Sequence, residues 1–198
     1  MKSKTKNNLL ALVEGAAMVA LAVVLDLLMS LLPSMPNGGS ITIATVPLIY
    51  YAYRRGTGCG LLAGLVWTFT QLLTGGFYPP PAGTLWANAL CFLLDYLIAF
   101  TVVGLAPVFA RMCGKNRIVG YSVGAVAVNL IRYLSSSFSG VILWYSYTPE
   151  GMNVWEYSFG YNATYMIPNA IIAGVLIVPL CLALDPKTLR KFHRESGE

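Results

Sequence analysis

The chain has 198 residues, and its composition is that of a protein with little surface in water. Hydrophobic residues make up 57% of it and Asp, Glu, Lys and Arg only 11%, whereas soluble domains carry about 25% charged residues. The mean hydropathy is +0.65. These values exclude an ordinary cytosolic enzyme, a disordered chain and a nucleic-acid-binding module. They predict a protein embedded in a lipid bilayer.

Apolar runs predict an all-α integral membrane protein in which residues 1–198 form a single membrane domain. The second and third runs are shorter than the ~20 residues that usually cross a bilayer, so we expect one of them to be tilted or partly irregular. The first run continues to about Leu32 without a clear small-residue cleavage site, which favours a retained helix over a signal peptide. The six predicted transmembrane helices are at about 9–32, 41–55, 58–74, 85–109, 118–146 and 159–184.

The basic residues predict how the helices are oriented. All but Arg132 of the thirteen Lys and Arg residues lie near the termini or in the connections after the second and fourth helices. The connections 33–40, 75–84 and 147–158 contain none. Because Lys and Arg concentrate in cytoplasmic loops, both termini are predicted to be cytoplasmic. The pI of about 9.1 therefore reflects membrane topology, and no nucleic-acid partner is expected.

Motifs for catalysis, metal binding and ATP hydrolysis are missing from the sequence. The four cysteines form no CxxC pair, and the one histidine, His193, lies in the basic tail, so we expect neither a disulfide framework nor a metal site. GxxxxGK[ST] and HExxH do not occur. The chain is predicted to be a non-enzyme without a cofactor or an ATPase site of its own. A membrane enzyme acting through Asp95 or Glu156 is the remaining alternative.

Four charged residues lie inside the predicted helices, where a charge is costly and points to a function by default. Glu14, one turn into the first helix, is expected to have a structural role near the cytoplasmic interface. Asp26 lies towards the outer side, where it either caps a neighbouring helix or pairs with Arg132. Asp95 lies ~15 Å below the outer end of the fourth helix. It is interpreted as a salt-bridge partner of Arg132, as a ligand-binding carboxylate, or as both.

One face of the fifth helix has the pattern of a binding site. Arg132, Ser136, Gly140 and Trp144 follow one another at intervals of four residues and therefore share a face. A gap at Gly140 beneath Trp144 would leave room for a flat ring. The alternative is close helix packing at Gly and Ser, with Trp144 as an interfacial residue.

Two outer connections contribute further features. The segment 145–162, YSYTPEGMNVWEYSFGYN, contains four tyrosines, Trp155, Glu150 and Glu156 but no Lys or Arg. Aromatic faces and carboxylates favour an organic cation as the ligand, and Asn162 adds an amide that both donates and accepts hydrogen bonds. The segment 75–84, GGFYPPPAGT, is predicted to be a stiff extended stretch, either a lid or a spacer.

Together these residues resemble the thiamine-specific substrate-binding subunits of energy-coupling factor (ECF) transporters, and the resemblance covers nearly the whole chain. Its most specific part is the run from Ser139-Gly140 through Trp144 to the sequence PEGMN at 149–153. The cytoplasmic turn at 54–56 and the small pair Ala16 and Ala20 also match. The remaining matching segments are Arg132-Tyr133, Leu93-Leu94-Asp95-Tyr96, Tyr157, Tyr161-Asn162 and Tyr165-Met166.

The resemblance implies six helices in the plasma membrane of a prokaryote and a thiamine site near the outer face. Thiamine would be the transported ligand and not a cofactor. Asp95 would bond the aminopyrimidine, and Ala16 and Ala20 would contact a transmembrane coupling subunit, which works with two ATPases that use ATP. The residues expected at the ligand site are Asp95, Ser136, Gly140, Trp144, Tyr157, Asn162, Trp67 and Arg132.

The sequence departs from the family pattern at three places. Ser136 stands where a histidine is usual, Leu85 stands where a tyrosine is expected, and the connection 33–40 lacks a tryptophan. These differences leave open a related ligand, such as hydroxymethylpyrimidine, within the same transporter class. A stand-alone secondary carrier that couples transport to protons through Asp95 is the alternative from a different class.

Overall fold

A computed structural model describes residues 2–31, 35–113 and 116–186, with side chains from Thr5 onwards, and this part of the chain is built from helices without strands. The all-α prediction is thereby confirmed. A short 3₁₀ turn at Tyr145–Tyr147 joins the last two long helices. The helices are α1 (Lys2–Met29), α2 (Thr45–Arg55), α3 (Thr57–Gly75), α4 (Leu85–Met112), α5 (Arg117–Leu143) and α6 (Val154–Ala183).

Within the described residues, five helices are long and apolar enough to cross a membrane, and α2 is the exception. α2 has 11 residues and is buried along most of its length. The expected irregularity therefore falls in the second run, whose residues 41–44 are not helical. The reason is that Thr42 bonds side chains of two other helices: its N–H donates to Asn169 Oδ1 and its hydroxyl to Asp26 Oδ1, each at 2.8 Å.

The ends of the last two helices also differ from the predicted bounds. α5 ends at Leu143, three residues early, because the chain turns at Trp144 into the 3₁₀ turn. α6 begins five residues early, at Val154, because Asn153 caps it: its side-chain oxygen accepts from the N–H of Trp155 at 2.8 Å. Both shifts leave Trp144 and Asn153 in the same connection.

α1 is fixed to α2 by an ion-pair cluster and a close contact. Both oxygens of Glu14 are used: Arg54 bonds them at 2.8 and 2.9 Å, and Arg55 bonds one of them at 2.6 Å. The Tyr51 hydroxyl donates to the carbonyl of Ala11 at 2.6 Å, and Gly15 leaves the room for its ring. Glu14 thus has the structural environment expected from the sequence.

Replacing Glu14 with Gln should destabilise the protein, because two largely buried guanidinium groups lose their counter-ion. Breaking a buried pair by removing one partner costs about 3 kcal/mol or more. The measurement is the apparent unfolding midpoint in detergent. The control is Asp185→Asn, which removes the exposed pair with Arg117 and should cost less than about 1 kcal/mol. Equal midpoints for the two variants would contradict the assignment.

Candidate ligand-binding site

A cavity of about 330 Å³ lies at the end of the bundle where the three connections without Lys or Arg meet. Its walls come from α1, α3, α4, α5 and α6 and from these connections. The volume falls in the range of small-molecule sites. The structure brings all eight residues predicted for the ligand site to this one cavity: Trp67, Asp95, Arg132, Ser136, Gly140, Trp144, Tyr157 and Asn162.

Asp95 lies in a π-helical turn, Phe92–Ile98, within α4. Such turns are rare and are frequent at functional sites; nothing in the sequence predicted this one. Three donors converge on one carboxylate oxygen, Oδ2: Ser139 Oγ at 2.6 Å, Trp144 Nε1 at 3.2 Å and Cys91 Sγ at 3.6 Å. In the described part of the chain, every hydrogen bond to this carboxylate falls on Oδ2 and none on Oδ1.

The salt bridge considered between Asp95 and Arg132 is absent, since no ion pair within 4.0 Å joins them in the part of the chain that the structure describes. Arg132 is buried, with 4% of its surface exposed. Its guanidinium carbon lies 5.7 Å from the ring centroid of Trp67 and 5.6 Å from that of Phe100. Nη1 donates to Asn129 Oδ1 at 3.1 Å. Aromatic faces therefore stabilise this cation at contact distance, and the Asp26 carboxylate attracts it from further away.

Trp144 is the centre of an aromatic stack at the mouth of the cavity. The ring of Tyr78 stacks on it at 5.5 Å and that of Tyr147 at 5.8 Å. Tyr78 belongs to the proline-rich connection, and its N–H donates to the hydroxyl of Tyr96 on α4 at 3.0 Å. Of the two interpretations of the segment 75–84, these contacts favour a lid, because one of its rings forms part of the cavity wall.

The gap predicted at Gly140 is filled by the protein itself. A Cβ atom at this position would clash with Ser158 Oγ of α6. That hydroxyl donates to the carbonyl of Ser137 at 2.7 Å. Gly140 therefore serves close packing of α5 on α6, and it also lines the cavity, where its place in the ligand site stays a prediction.

α6 closes the cavity together with the first connection. Asn37 donates from its side chain to the Tyr157 hydroxyl and from its backbone to the Tyr161 hydroxyl, both at 2.9 Å. Asn162 is occupied on both sides of its amide, accepting from Tyr165 at 2.5 Å and donating to the Ser158 carbonyl at 2.9 Å. The first connection is thus tied to the helix that carries Tyr157 and Asn162.

The carboxylates of the segment 145–162 do not contribute to the cavity as expected. Glu150 and Glu156 are exposed and do not line the cavity. Trp155 packs against Phe138 and Phe159 on the outer surface of the bundle. The carboxylates that do line the cavity belong to Asp26 and Asp95.

Several lining residues were not predicted for the site. The repeat of Tyr157, Tyr161 and Tyr165 at intervals of four residues was a usable signal, because it places all three on one face of α6. Asp26 was recognised as an unusual charge but not assigned to the cavity. The others carried no signal, since they come either from connections whose path the sequence does not define or, for Gln71, Tyr96 and Asn169, from helix positions whose cavity-facing side it does not define. The unpredicted polar and aromatic lining residues include Asp26, Asn37, Thr42, Gln71, Tyr78, Tyr96, Tyr147, Tyr161, Tyr165 and Asn169.

Fold and cavity together define a multi-pass helical membrane protein with a candidate ligand site at one end of its bundle. Residues 12–189 match the family of thiamine transporter proteins (Thia_YuaJ). The chain is 35% identical to the thiamine transporter ThiT of Bacillus subtilis (strain 168), over 88% of this chain and 90% of that protein. It is 28% identical to the thiamine transporter ThiT of Lacticaseibacillus paracasei, over 91% of this chain and 90% of that one.

The chain therefore belongs to the thiamine transporter protein family. A solved structure of ThiT from Listeria monocytogenes has the same fold, with a TM-score of 0.72 at 24% identity, over 91% of this chain and 97% of that chain. The resemblance drawn from the sequence is confirmed. The family is one of transport proteins, which sets aside the membrane enzyme as an alternative.

Gly140→Ala should destabilise the contact between α5 and α6, because the added methyl group overlaps Ser158 Oγ. Overpacking of this kind costs about 1–3 kcal/mol. The unfolding midpoint should fall for this variant and recover in part when Ser158→Gly is added. Gly160→Ala on α6 is the matched control, because nothing lies within 4 Å of its new Cβ. A normal midpoint for Gly140→Ala would contradict the close contact.

Proposed function

We propose that this protein captures thiamine in the outer cavity as the substrate-binding subunit of an ECF-type importer. The observation that carries the proposal is the Asp95 carboxylate, which faces the cavity with one oxygen held by Ser139 and Trp144. Family membership supports thiamine as the ligand. The position of the cavity, at the end whose connections lack basic residues, supports capture from outside.

The chemistry of thiamine matches the two sides of the proposed site. Its aminopyrimidine offers an N–H donor, for which Asp95 Oδ1 is a fitting acceptor, and charge-assisted hydrogen bonds of this kind are the strong ones. Its second ring, the thiazolium, is a flat cation, which aromatic faces attract. Trp144 and Tyr157 would supply such faces. Asn162 and Ser136 would border the ligand, with Trp67 and Arg132 forming a further wall.

Delivery would depend on partners, because the sequence lacks a phosphate-binding loop. We propose a transmembrane coupling subunit that docks on α1 and two ATPases that supply the energy. Ala16 and Ala20 are exposed on α1, while Glu14 and Gly15 on its other face are held against α2. Small residues on an exposed face permit close approach of another helix. The protein would lie in the plasma membrane of a prokaryote with both termini cytoplasmic.

A neutral pyrimidine, such as hydroxymethylpyrimidine, is the second candidate ligand. The observation that favours it is Ser136, in the position where a histidine is usual, together with an Asn162 amide already bonded on both sides. In that case Asp95 would recognise the whole ligand and not one half of it. Titration with both compounds distinguishes the two candidates.

Asp95→Asn should weaken thiamine binding about 10- to 100-fold, because a hydrogen bond to a charged group is worth roughly 1.5–3 kcal/mol. Isothermal titration of the purified protein in detergent measures it. Glu150→Gln is the matched control, an acid-to-amide change at an exposed residue outside the cavity, and should bind as the wild type does. Equal affinities for Asp95→Asn and Glu150→Gln would refute the role of Asp95.

Ala20→Trp should abolish assembly with the coupling subunit and leave thiamine affinity unchanged, because the bulky ring blocks close helix approach on α1. Co-purification and thiamine titration of the same preparation measure both quantities. Val175→Trp, on an exposed face of α6, is the control and should assemble normally. Uptake that persists in cells lacking the ATPases would favour the proton-coupled carrier instead.

A further inference from the structure

The charged groups that line the cavity do not balance. In the part of the chain that the structure describes, the lining includes two carboxylates, Asp26 and Asp95, and one guanidinium, Arg132. With all three ionised, the wall carries a net charge of −1. A charge within a membrane protein is costly unless it is compensated, so this cavity favours a ligand with a single positive charge.

Asp26 is the less expected of the two acids. It lies near the outer end of α1, and its two oxygens are held by neutral donors: Oδ1 by the Thr42 hydroxyl at 2.8 Å and Oδ2 by Gln71 Nε2 at 2.6 Å. No Lys or Arg of the described residues lies within 4.0 Å of this carboxylate. Arg132 attracts this carboxylate electrostatically from beyond ion-pair distance, while its guanidinium bonds Asn129 and lies against aromatic rings. The hydrogen bonds fix the carboxylate without cancelling its charge.

The two carboxylates belong to different walls of the cavity. Asp95 is held by donors on α4 and α5 and at the end of α5. Asp26 is held by α3 and by the non-helical residues that precede α2. They share no hydrogen-bond donor. A ligand with two chemically different ends can therefore meet one acid with each end.

We propose that Asp26 is the counter-ion of the cationic part of the ligand and sets the preference for thiamine over its neutral pyrimidine half. This inference rests on the proposed function, because it takes thiamine as the ligand. Asp95 then recognises the pyrimidine, which both compounds contain, and Asp26 recognises the charge, which only thiamine contains. Thr42 and Gln71 are positioning residues that hold the Asp26 carboxylate towards the cavity.

The partly buried position of Asp26 sets how much its charge should contribute to thiamine affinity. Charge–charge attraction is weakly screened in a partly buried site, and close charge pairs across interfaces often contribute tenfold or more to affinity. Removing the charge from Asp26 should therefore weaken thiamine binding by about tenfold or more. The neutral pyrimidine gains nothing from this charge, so its affinity should stay the same. The ratio of the two affinities is the quantity that reports the role.

The test is isothermal titration of thiamine and of hydroxymethylpyrimidine into the purified full-length protein and its variants. Asp26→Asn keeps the size and one of the two acceptor oxygens, and Gln71 can turn its amide to accept from the new NH2 group, so we expect weaker thiamine binding and unchanged pyrimidine binding. Asp26→Glu keeps the charge and should keep the preference. Asp95→Asn should weaken both ligands. Glu150→Gln, which removes an outer charge away from the cavity, should change neither.

Three results would overturn the inference. Parallel loss of both ligands in Asp26→Asn would mean that Asp26 only supports the fold of the cavity. Unchanged binding of both would mean that its charge is not sensed. A wild-type protein that binds the pyrimidine but not thiamine would overturn the proposed ligand itself, and this arm separates failure of the function from failure of the Asp26 assignment.

Discussion

A carboxylate buried in a membrane bundle needs hydrogen-bond donors around it. The geometry of the site follows from the donors that bind Asp95. The π-helical turn in α4 brings its side chain towards α5, where Ser139 bonds it, and towards the end of that helix, where Trp144 does. Because its indole N–H is bound there, Trp144 is fixed at the mouth of the cavity. The rings of Tyr78 and Tyr147 then stack on it.

The rest of the cavity depends on close contacts that hold its walls in place. Gly140 lets α6 approach α5 until Ser158 fills the space beside it. The first connection is bound to α6 through Asn37 and to α1 through Thr42. At the other end of the bundle, Glu14 joins α1 to α2 through two arginines. The end with the cavity is thus organised by hydrogen bonds to tyrosines and amides, and the opposite end by ion pairs.

Much of the fold could be predicted because the membrane-spanning helices of such a protein are visible as apolar runs in its sequence. Apolar runs gave the helices, since burying charge in a membrane is costly, and the orientation inferred from Lys and Arg stays a prediction. The four-residue spacing from Arg132 to Trp144 likewise placed these residues on one face, and the structure brings them to the cavity. The spacing did not predict the individual environments of these residues. Gly140 packs against a serine, and Arg132 lies against aromatic rings and not beside Asp95.

What could not be predicted depends on contacts between segments distant in the sequence. The π-helical turn at Asp95 has no sequence signature, and the role of Tyr78 depends on where the proline-rich connection folds. Asp26 shows the limit most clearly. Its charge was visible in the sequence, but its position in the cavity depends on Thr42 and Gln71, 16 and 45 residues away.

The central claim is that thiamine binds in this cavity against Trp144, and intrinsic fluorescence tests it most directly. The protein has four tryptophans, of which Trp144 and Trp67 line the cavity. Titration of the purified wild-type protein with thiamine should quench its fluorescence saturably, and Trp144→Phe should lose most of that change. Absence of a saturable response in the wild type, or a full response in Trp144→Phe, would contradict the account.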